Sequence, residues 1–160
     1  MAVFWDPRAG PWSWQVAESA ARQRGWKLLS LEIRDAGEIG GAFKAATGAR
    51  VGALLVIPSV LLDAHAPRIV ELAAKRRLPA MYGLRFYVDA GGLMCYRADL
   101  IEPWRPAAVF VDKILKGAKP ADLPIEQPTK FELVINLKAA KAIGRAIPQA
   151  ILSRADEVVQ

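Results

Sequence analysis

Apolar and polar positions follow a regular order along the first hundred residues, in which short apolar runs alternate with longer amphipathic stretches. The run at 52–57 is continuously apolar and ends at Pro58, a pattern typical of a strand buried on both faces of a parallel sheet. The neighbouring runs are also rich in bulky apolar side chains and end near glycine, proline or charged residues. The predicted strands of this part are residues 2–5, 26–33, 52–57, 79–82 and 93–96.

Helical periodicity separates these strands. Between 12 and 24, Trp12, Val16 and Ala20 are spaced four apart and share one helical face, and Gly25 follows as a stop signal. Two further helices are predicted, at 37–47 and at 66–77. Three successive strand–helix–strand crossovers predict a doubly wound, mostly parallel sheet with helices on both faces, the three-layer α/β/α architecture of a flavodoxin-like lobe.

The pattern changes after Tyr96. Residues 99–117 predict a helix that Gly117 closes. Residues 118–130 contain three prolines and little periodicity, which indicates an extended connector. The remaining predicted elements are a strand at 131–137, a short helix at 138–144 and a last helix at 148–159.

The composition is that of a globular protein of one domain or slightly more. The chain has 160 residues, 53% of them hydrophobic, and a mean hydropathy of +0.17, which supplies ample apolar material for a core. No apolar run approaches the roughly 18 residues of a membrane helix, so we expect no membrane insertion. The first six residues lack a basic leader and a long apolar segment. As it stands, the chain is therefore expected to lack a secretory signal and to be cytoplasmic.

The net charge of +6 is compatible in principle with a nucleic-acid or anionic membrane partner. The charged residues are scattered, however, and the densest cluster, at 75–77, ends a predicted helix, where cations complement the helix dipole. Zinc-finger spacing, RNA-binding aromatic signatures and long basic runs are absent from the sequence, so we expect no nucleic-acid partner. The single cysteine, Cys95, suits a small apolar position within a strand and provides neither an internal disulfide nor a zinc site.

Polar and aromatic residues follow several of the predicted strands. In open α/β sheets, ligands bind beyond the carboxyl ends of the strands, at the point where the strand order reverses. Aromatic walls with a few oriented polar groups suit the binding of a small molecule without catalysis. The candidate ligand-binding residues are Trp5, Asp6, Ser13, Pro58, Ser59, Tyr82, Arg85 and Phe86.

Motifs of several enzyme and cofactor-binding classes are missing at these positions. The turn after the first strand lacks the glycine spacing of a dinucleotide site, and no Walker-type loop is present. The third strand ends in Ile57-Pro58-Ser59 rather than in the aspartate of a phosphoacceptor domain. The only histidine, His65, suits a loop or cap position, and no Gly-x-Ser-x-Gly elbow accompanies it. We therefore expect no catalytic residue, no cofactor and no bound metal.

Three stretches closely resemble the C-terminal part of ABC-transporter substrate-binding proteins. They are LPAMYGLRFYVDAGGLMCY at 78–96, VDKILKGAKPADLPIEQPTKFELVINLKAAKAIG at 111–144 and ILSRADEVVQ at 151–160. The group that they resemble is the tryptophan/tyrosine-transporter-like group, which has the type I periplasmic-binding-protein fold. Further upstream, Phe4-Trp5-Asp6-Pro7 resembles the opening of that family's second lobe.

The resemblance implies two doubly wound lobes that close on a small organic solute, such as an amino acid, and an ABC permease as partner. It also implies a periplasmic or lipid-anchored location for the full-length family. The chain then divides into a ligand-binding lobe at 1–96, a crossing with a first-lobe helix and connector at 97–130, and a return strand with C-terminal helices at 131–160. The implied hinge residues are Gly91, Gly92, Arg97, Gln127 and Pro128; Arg97 stands where the family usually has a small residue.

The family's leader and N-terminal lobe are absent from this sequence, so the resemblance implies a truncated protein that holds one wall of the cleft. The alternative is a free-standing flavodoxin-like module with a regulatory or interaction role. Such a module is expected to form a homodimer through the helix at 99–117, because loss of the first lobe would expose the apolar side of that helix.

Overall fold

The computed structural model describes residues 1–98, 104–124 and 130–160, and these form one mixed sheet with helices on both of its faces. The strands of the described part are β1 Ala2–Trp5, β2 Leu29–Glu32, β3 Leu54–Val56, β4 Ala80–Tyr82, β5 Met94–Ala98, β6 Phe131–Asn136 and β7 Glu157–Val159. Their order is β2-β1-β3-β4-β5-β6-β7. Neighbouring strands are parallel except for the antiparallel pair of β5 and β6. The strand order therefore reverses at β1, between β2 and β3.

Helices fill the crossovers that parallel strands require. They are α1 Trp12–Gln23, α2 Glu38–Gly48, α3 Val60–Ala64, α4 Ala66–Lys75, α5 Phe86–Asp89, α6 Trp104–Leu115, α7 Leu137–Ala142 and α8 Gln149–Leu152. Two short 3₁₀ turns cover Pro7–Ala9 and Pro120–Asp122. Among the described residues, no helix is both long and apolar enough to cross a membrane.

One face of the sheet packs against α2 and α4 and carries the main core. Alternate residues of each strand enter this core because successive strand side chains point to opposite faces. The ring of Phe4 meets that of Phe43 edge to face, with 4.8 Å between the centroids, and both side chains are fully buried. The strand residues in this core are Ala2, Phe4, Leu54, Val56, Ala80, Tyr82, Cys95 and Val134.

The opposite face packs against α1 and α7. Trp5 stacks on Trp14 of α1, with ring centroids 6.1 Å apart, and its indole Nε1 donates to Ser30 Oγ at 2.8 Å. Ala140 and Ile143 pack on the buried Leu93, just before β5. Helices thus cover both faces, and the predicted three-layer, mostly parallel α/β fold is confirmed.

The C-terminal end differs from the prediction. The helix predicted at 148–159 is wrong, because α8 ends at Leu152 and β7 follows as a strand parallel to β6. Asp156 docks this segment on the sheet: its backbone N–H donates to Leu133 O at 2.9 Å, and its Oδ2 accepts from Leu133 N–H at 2.8 Å. Val158 and Val159 then follow as β-branched residues, which favour a strand.

One further difference concerns the middle of the chain. Helix α3 was not predicted, because its apolar residues directly follow the apolar strand β3 and no periodicity separates them. His65 lies between α3 and α4, in agreement with the loop or cap position expected for it. Part of the helix predicted at 99–117 and of the connector predicted at 118–130, including Gln127 and Pro128, lies outside the described residues.

Candidate functional site

A cavity of about 520 Å³ lies at the carboxyl ends of β1 and β3, where the strand order reverses. This is the position at which doubly wound sheets bind ligands, because the loops after the two strands diverge there and leave a crevice. The volume falls within the range of small-molecule sites, roughly 300–1,000 Å³. Its lining consists of Asp6, Arg8, Ala9, Ser59, Val60, Leu61 and Ala64.

Asp6 and Arg8 form the charged part of this cavity. Asp6 directly follows β1 and caps the 3₁₀ turn Pro7–Ala9, with Oδ1 accepting from Arg8 N–H at 2.9 Å. The Arg8 guanidinium then folds back on the same carboxylate, with Nε 3.0 Å from Oδ1 and Nη2 3.1 Å from Oδ2. Asp6 is 7% exposed, whereas the Arg8 side chain is 60% exposed. A buried carboxylate therefore holds a guanidinium that still faces solvent.

The protonation of Asp6 follows from this contact. The side-chain hydrogen bonds from Arg8 lower the pKa of the Asp6 carboxyl below its usual value, although burial acts in the opposite direction. Asp6 is consequently ionised at neutral pH, and the cavity contains a fixed pair of opposite charges. Such a pair offers both an acceptor and a donor to a polar ligand.

Ser59 forms the other polar part of the cavity. It caps the N-terminus of α3, and its Oγ accepts from Leu62 N–H at 3.2 Å. This bond uses a lone pair of the hydroxyl and leaves its hydrogen able to donate to a ligand. Apolar residues complete the wall on this side, among them Val60, which is 90% exposed.

The loops after β3 and β4 approach each other closely beside this wall. A Cβ at Gly83 would lie only 2.2 Å from Cγ of Pro58, so this position has no room for a side chain. Pro58 itself is exposed and flanks the lining without belonging to it. The glycine therefore allows the loop that carries Ser59 to sit against the end of β4.

The structure brings two of the eight predicted ligand-binding residues, Asp6 and Ser59, together at this cavity. The other six are described but lie outside its lining. Trp5 is buried against β2 and α1, and Ser13 is half-buried in the first turn of α1. Pro58 lies in the loop after β3. The last three are Tyr82 at the end of β4, Arg85 in the following loop and Phe86 at the start of α5.

Residues after β4 are engaged in a separate set of contacts around α5. Tyr82 is buried and stacks on Tyr87, with ring centroids 4.6 Å apart, and Phe86 stacks on the other side of Tyr87 at 4.9 Å. Burial raises the pKa of the Tyr82 phenol. Arg85 forms an ion pair with Glu157 at the start of β7, with Nη2 2.7 Å from Oε1. This guanidinium therefore binds the C-terminal strand instead of lining the cavity.

Sequence reasoning missed Arg8, Ala9 and the apolar wall of α3. A signal for Arg8 existed, because Asp-Pro after a strand is typical of a turn in which the aspartate accepts from the backbone two residues on. That turn brings residue 8 back over residue 6. The α3 wall carried no comparable signal, since its residues extend the apolar run of β3.

The predicted hinge residues of the described part lie around β5. Gly91 has a φ of +97°, and a Cβ at Gly92 would lie 2.6 Å from Tyr87 O. Arg97 pairs with Glu132 across β5 and β6, with Nη2 2.5 Å from Oε2, and both side chains are about four-fifths buried. The Arg97 Nε is buried without a hydrogen-bond partner among the described residues.

Apolar side chains are exposed on α6 and at the ends of β5 and β6. On α6, Val109, Val111 and Leu115 are half or more exposed. The rings of Tyr96 and Phe131 stack on each other, 5.5 Å apart, and both are about half exposed. An apolar surface of this kind is typical of a region that contacts another domain or chain.

A second cavity of about 510 Å³ lies on the other face of the sheet, near the amino ends of the strands. Its lining is apolar, with residues such as Leu55, Met81 and Met94, apart from Arg24 at one side. Because it lacks several convergent polar groups, it suits a polar solute less well than the cavity at Asp6 and Ser59.

Solved structures with the same fold match nearly the whole chain. A conserved domain protein from Vibrio cholerae O1 biovar El Tor has a TM-score of 0.86 at 23% identity, covering 98% of this chain and 53% of that one. An ABC domain in complex with L-Trp from Streptococcus pneumoniae has a TM-score of 0.83 at 24% identity, covering 99% and 55%. The ligand-free, open structure of a substrate-binding protein with adhesive properties from Clostridium difficile has a TM-score of 0.74 at 19% identity, covering 99% and 54%.

This chain thus spans about half the length of these solved relatives. A comparison with curated protein sequences finds no significant match. The family model described as ABC transporter substrate binding protein matches residues 13–159, which is almost the whole chain. That family consists of substrate-binding proteins and is not a class of enzymes. The chain belongs to the ABC transporter substrate-binding protein family.

Proposed function

We propose that this chain is a solute-binding lobe of an ABC-type importer and contributes one wall of the cleft that holds the solute. The observation that carries the proposal is the cavity at the β1–β3 crevice. A buried carboxylate, an exposed guanidinium and the hydroxyl that caps α3 converge there. The proposed site residues are therefore Asp6, Arg8 and Ser59, with α3 as the apolar wall.

An amino acid is the solute class that fits this chemistry. Its carboxylate matches the exposed guanidinium of Arg8, and its ammonium group matches the carboxylate of Asp6, whose oxygens retain lone pairs beyond those that Arg8 engages. The side chain of the solute then contacts the apolar wall of α3. The complex of a structural relative with L-Trp supports this class and makes an aromatic amino acid a suitable first candidate.

The second wall of the cleft comes, in this proposal, from a further lobe. Support comes from the solved relatives, which are about twice as long as this chain, and from the exposed apolar side chains of α6. Packing of α6 on a first lobe would cover these side chains. The complete protein then acts outside the inner membrane, in the periplasm or attached to a lipid anchor, and delivers the solute to an ABC permease.

Isothermal titration calorimetry with L-tryptophan, L-tyrosine and the other common amino acids tests this proposal. The complete polypeptide of the reading frame and the 160-residue chain are titrated in parallel, and tighter binding is expected for the complete polypeptide. Arg8→Ala is expected to lower the affinity by about 10- to 100-fold, because a charge-assisted hydrogen bond is worth roughly 1.5–3 kcal/mol.

Arg22→Ala is the matched control. It removes the same charge from an exposed position on α1, where Arg22 pairs with Glu18 outside the cavity. Unchanged affinity is expected for this variant. Equal losses for the two variants would contradict a specific role for Arg8, and absence of binding across the whole panel would contradict the amino-acid class.

A second candidate function is supported by the same exposed side chains of α6. In this alternative, the chain is a free-standing regulatory or interaction module, and a second copy covers Val109, Val111 and Leu115. Light scattering over a range of protein concentrations tests this alternative, since a strictly monomeric 160-residue chain is incompatible with the homodimer.

A further inference from the structure

Tyr87 makes a partly buried polar contact that the proposed solute site does not itself explain. Its ring lies between those of Tyr82 and Phe86, and its side chain is fully buried. The hydroxyl donates to Asp63 Oδ1 at 2.9 Å. Burial, together with the adjacent carboxylate, raises the pKa of Tyr87, so the phenol remains protonated and acts as the donor.

Asp63 belongs to α3, the helix that forms the apolar wall of the cavity. Of the five residues of α3, all within the described part of the chain, only Leu62 is buried. Asp63 is joined to the site directly, because its backbone N–H donates to Ser59 O at 2.8 Å. Leu62 and the partly buried Leu61 pack this short helix on the core, and the Tyr87 hydroxyl adds a directional contact to α5.

The backbone of Tyr87 contacts Gly92, which lies just before β5. Its carbonyl accepts from Gly92 N–H at 2.8 Å, and the Gly92 backbone packs directly against it. Three separate hydrogen bonds therefore connect the backbone of Ser59 to that of Gly92, linked through the covalent structure of Asp63 and Tyr87. Tyr87 is therefore one buried residue that contacts both the cavity wall, through Asp63, and the segment that leads into β5, through Gly92.

We propose that Tyr87 is a positioning residue for the solute site: it holds α3, and with it Ser59, in place relative to α5 and Gly92. This inference rests on the proposed function for the part that concerns the solute. The part that concerns the position of α3 stands on the contacts alone. This positioning role depends on the Tyr87 hydroxyl, whereas a packing role would need only the ring.

Tyr87→Phe tests this role because it keeps the stacked ring and removes only the hydroxyl. Hydrogen exchange in the absence of solute is expected to become faster at the amides of Leu62 and Asp63. The affinity for L-tryptophan is expected to fall by about 5- to 30-fold, which corresponds to roughly 1–2 kcal/mol for the loss of a partly buried hydrogen bond. Asp63→Asn retains an acceptor oxygen for the tyrosine and is expected to stay within about threefold of the original affinity.

Tyr96→Phe provides the matched control, since it removes the same atom from a half-exposed ring that stacks on Phe131. It is expected to leave exchange in α3 unchanged. Unchanged exchange at Leu62 and Asp63 in Tyr87→Phe would overturn the proposal, and so would faster exchange without loss of affinity. If the unsubstituted protein does not bind L-tryptophan, that result counts against the proposed solute, and the exchange measurement alone decides whether Tyr87 positions α3.

Discussion

Gly92 lies where the chain leaves α5 for β5, and its surroundings leave no room for a side chain. A Cβ built on this residue would lie 2.6 Å from Tyr87 O and 2.7 Å from Cε2 of Tyr82, whereas ordinary contacts of this kind begin near 3.4 Å. Gly92→Ala therefore requires both the backbone of Tyr87 and the ring of Tyr82 to move away from residue 92 by more than half an ångström. Both neighbours are almost completely buried, so neither can turn into solvent.

The loss of folding free energy in Gly92→Ala can be estimated from overpacked cores in other proteins. Extra atoms in a well-packed core destabilise proteins by about 1–3 kcal/mol. Because one of the opposing atoms belongs to the backbone, we expect a value near the upper end, about 2–3 kcal/mol. The urea dependence of unfolding for a small protein is about 2 kcal/mol per molar, so the midpoint should fall by roughly 1–1.5 M.

Urea unfolding followed by circular dichroism measures this change, and Gly41→Ala in α2 is the matched control. A Cβ at Gly41 meets nothing within 4 Å. The same substitution should therefore stabilise the protein by about 0.5–1 kcal/mol, because alanine is the better helix former. A midpoint for Gly92→Ala that equals that of the unsubstituted protein would refute the reasoning from close contact.

Two further predictions concern charged pairs. The pKa of Asp6 is lower in the folded protein than in the unfolded chain. The stabilisation that its ionised carboxylate provides is therefore complete above the pKa of the unfolded chain, near 3.9, and is lost as the pH falls through the pKa of the folded protein. The urea midpoint should thus fall more steeply below pH 4 in the unsubstituted protein than in Asp6→Asn; parallel pH profiles would contradict this. Glu132→Gln should destabilise the protein by about 1–2 kcal/mol, because it leaves the largely buried Arg97 without its carboxylate partner. A thermal scan checks this, and an unchanged unfolding temperature would show that the pair contributes nothing net.

The sheet was predictable from the sequence because each strand of the parallel part is a short apolar run between breakers. The continuous run at 52–57 contains β3, and the runs around it contain β1, β2 and β4. Parallel order and helices on both faces then follow from the crossovers. The C-terminal edge was less predictable, since the pairing of β7 depends on Asp156 and its contacts with Leu133, which are distant in sequence.

The site residues whose positions follow from the strand order could be predicted from the sequence. Those whose positions depend on a particular side-chain partner could not. Asp6 and Ser59 follow β1 and β3 directly, so their meeting requires only the strand order. The position of Arg85 could not be inferred in the same way. Its partner Glu157 belongs to β7, which the sequence pattern had assigned to a helix. The ion pair that places the Arg85 guanidinium outside the cavity could therefore not be predicted from the sequence.

The antiparallel pair of β5 and β6 has a consequence for how this lobe can change over evolutionary time. Ala98 at the end of β5 is directly opposite Phe131 at the start of β6. The chain consequently leaves the sheet at Ala98 and returns to it at the adjacent Phe131, as at the two ends of a β-hairpin loop. Natural variation or protein engineering can lengthen, exchange or delete this excursion without altering the register of the two strands. A two-residue turn in place of 99–130 is therefore expected to yield a smaller lobe with the same sheet.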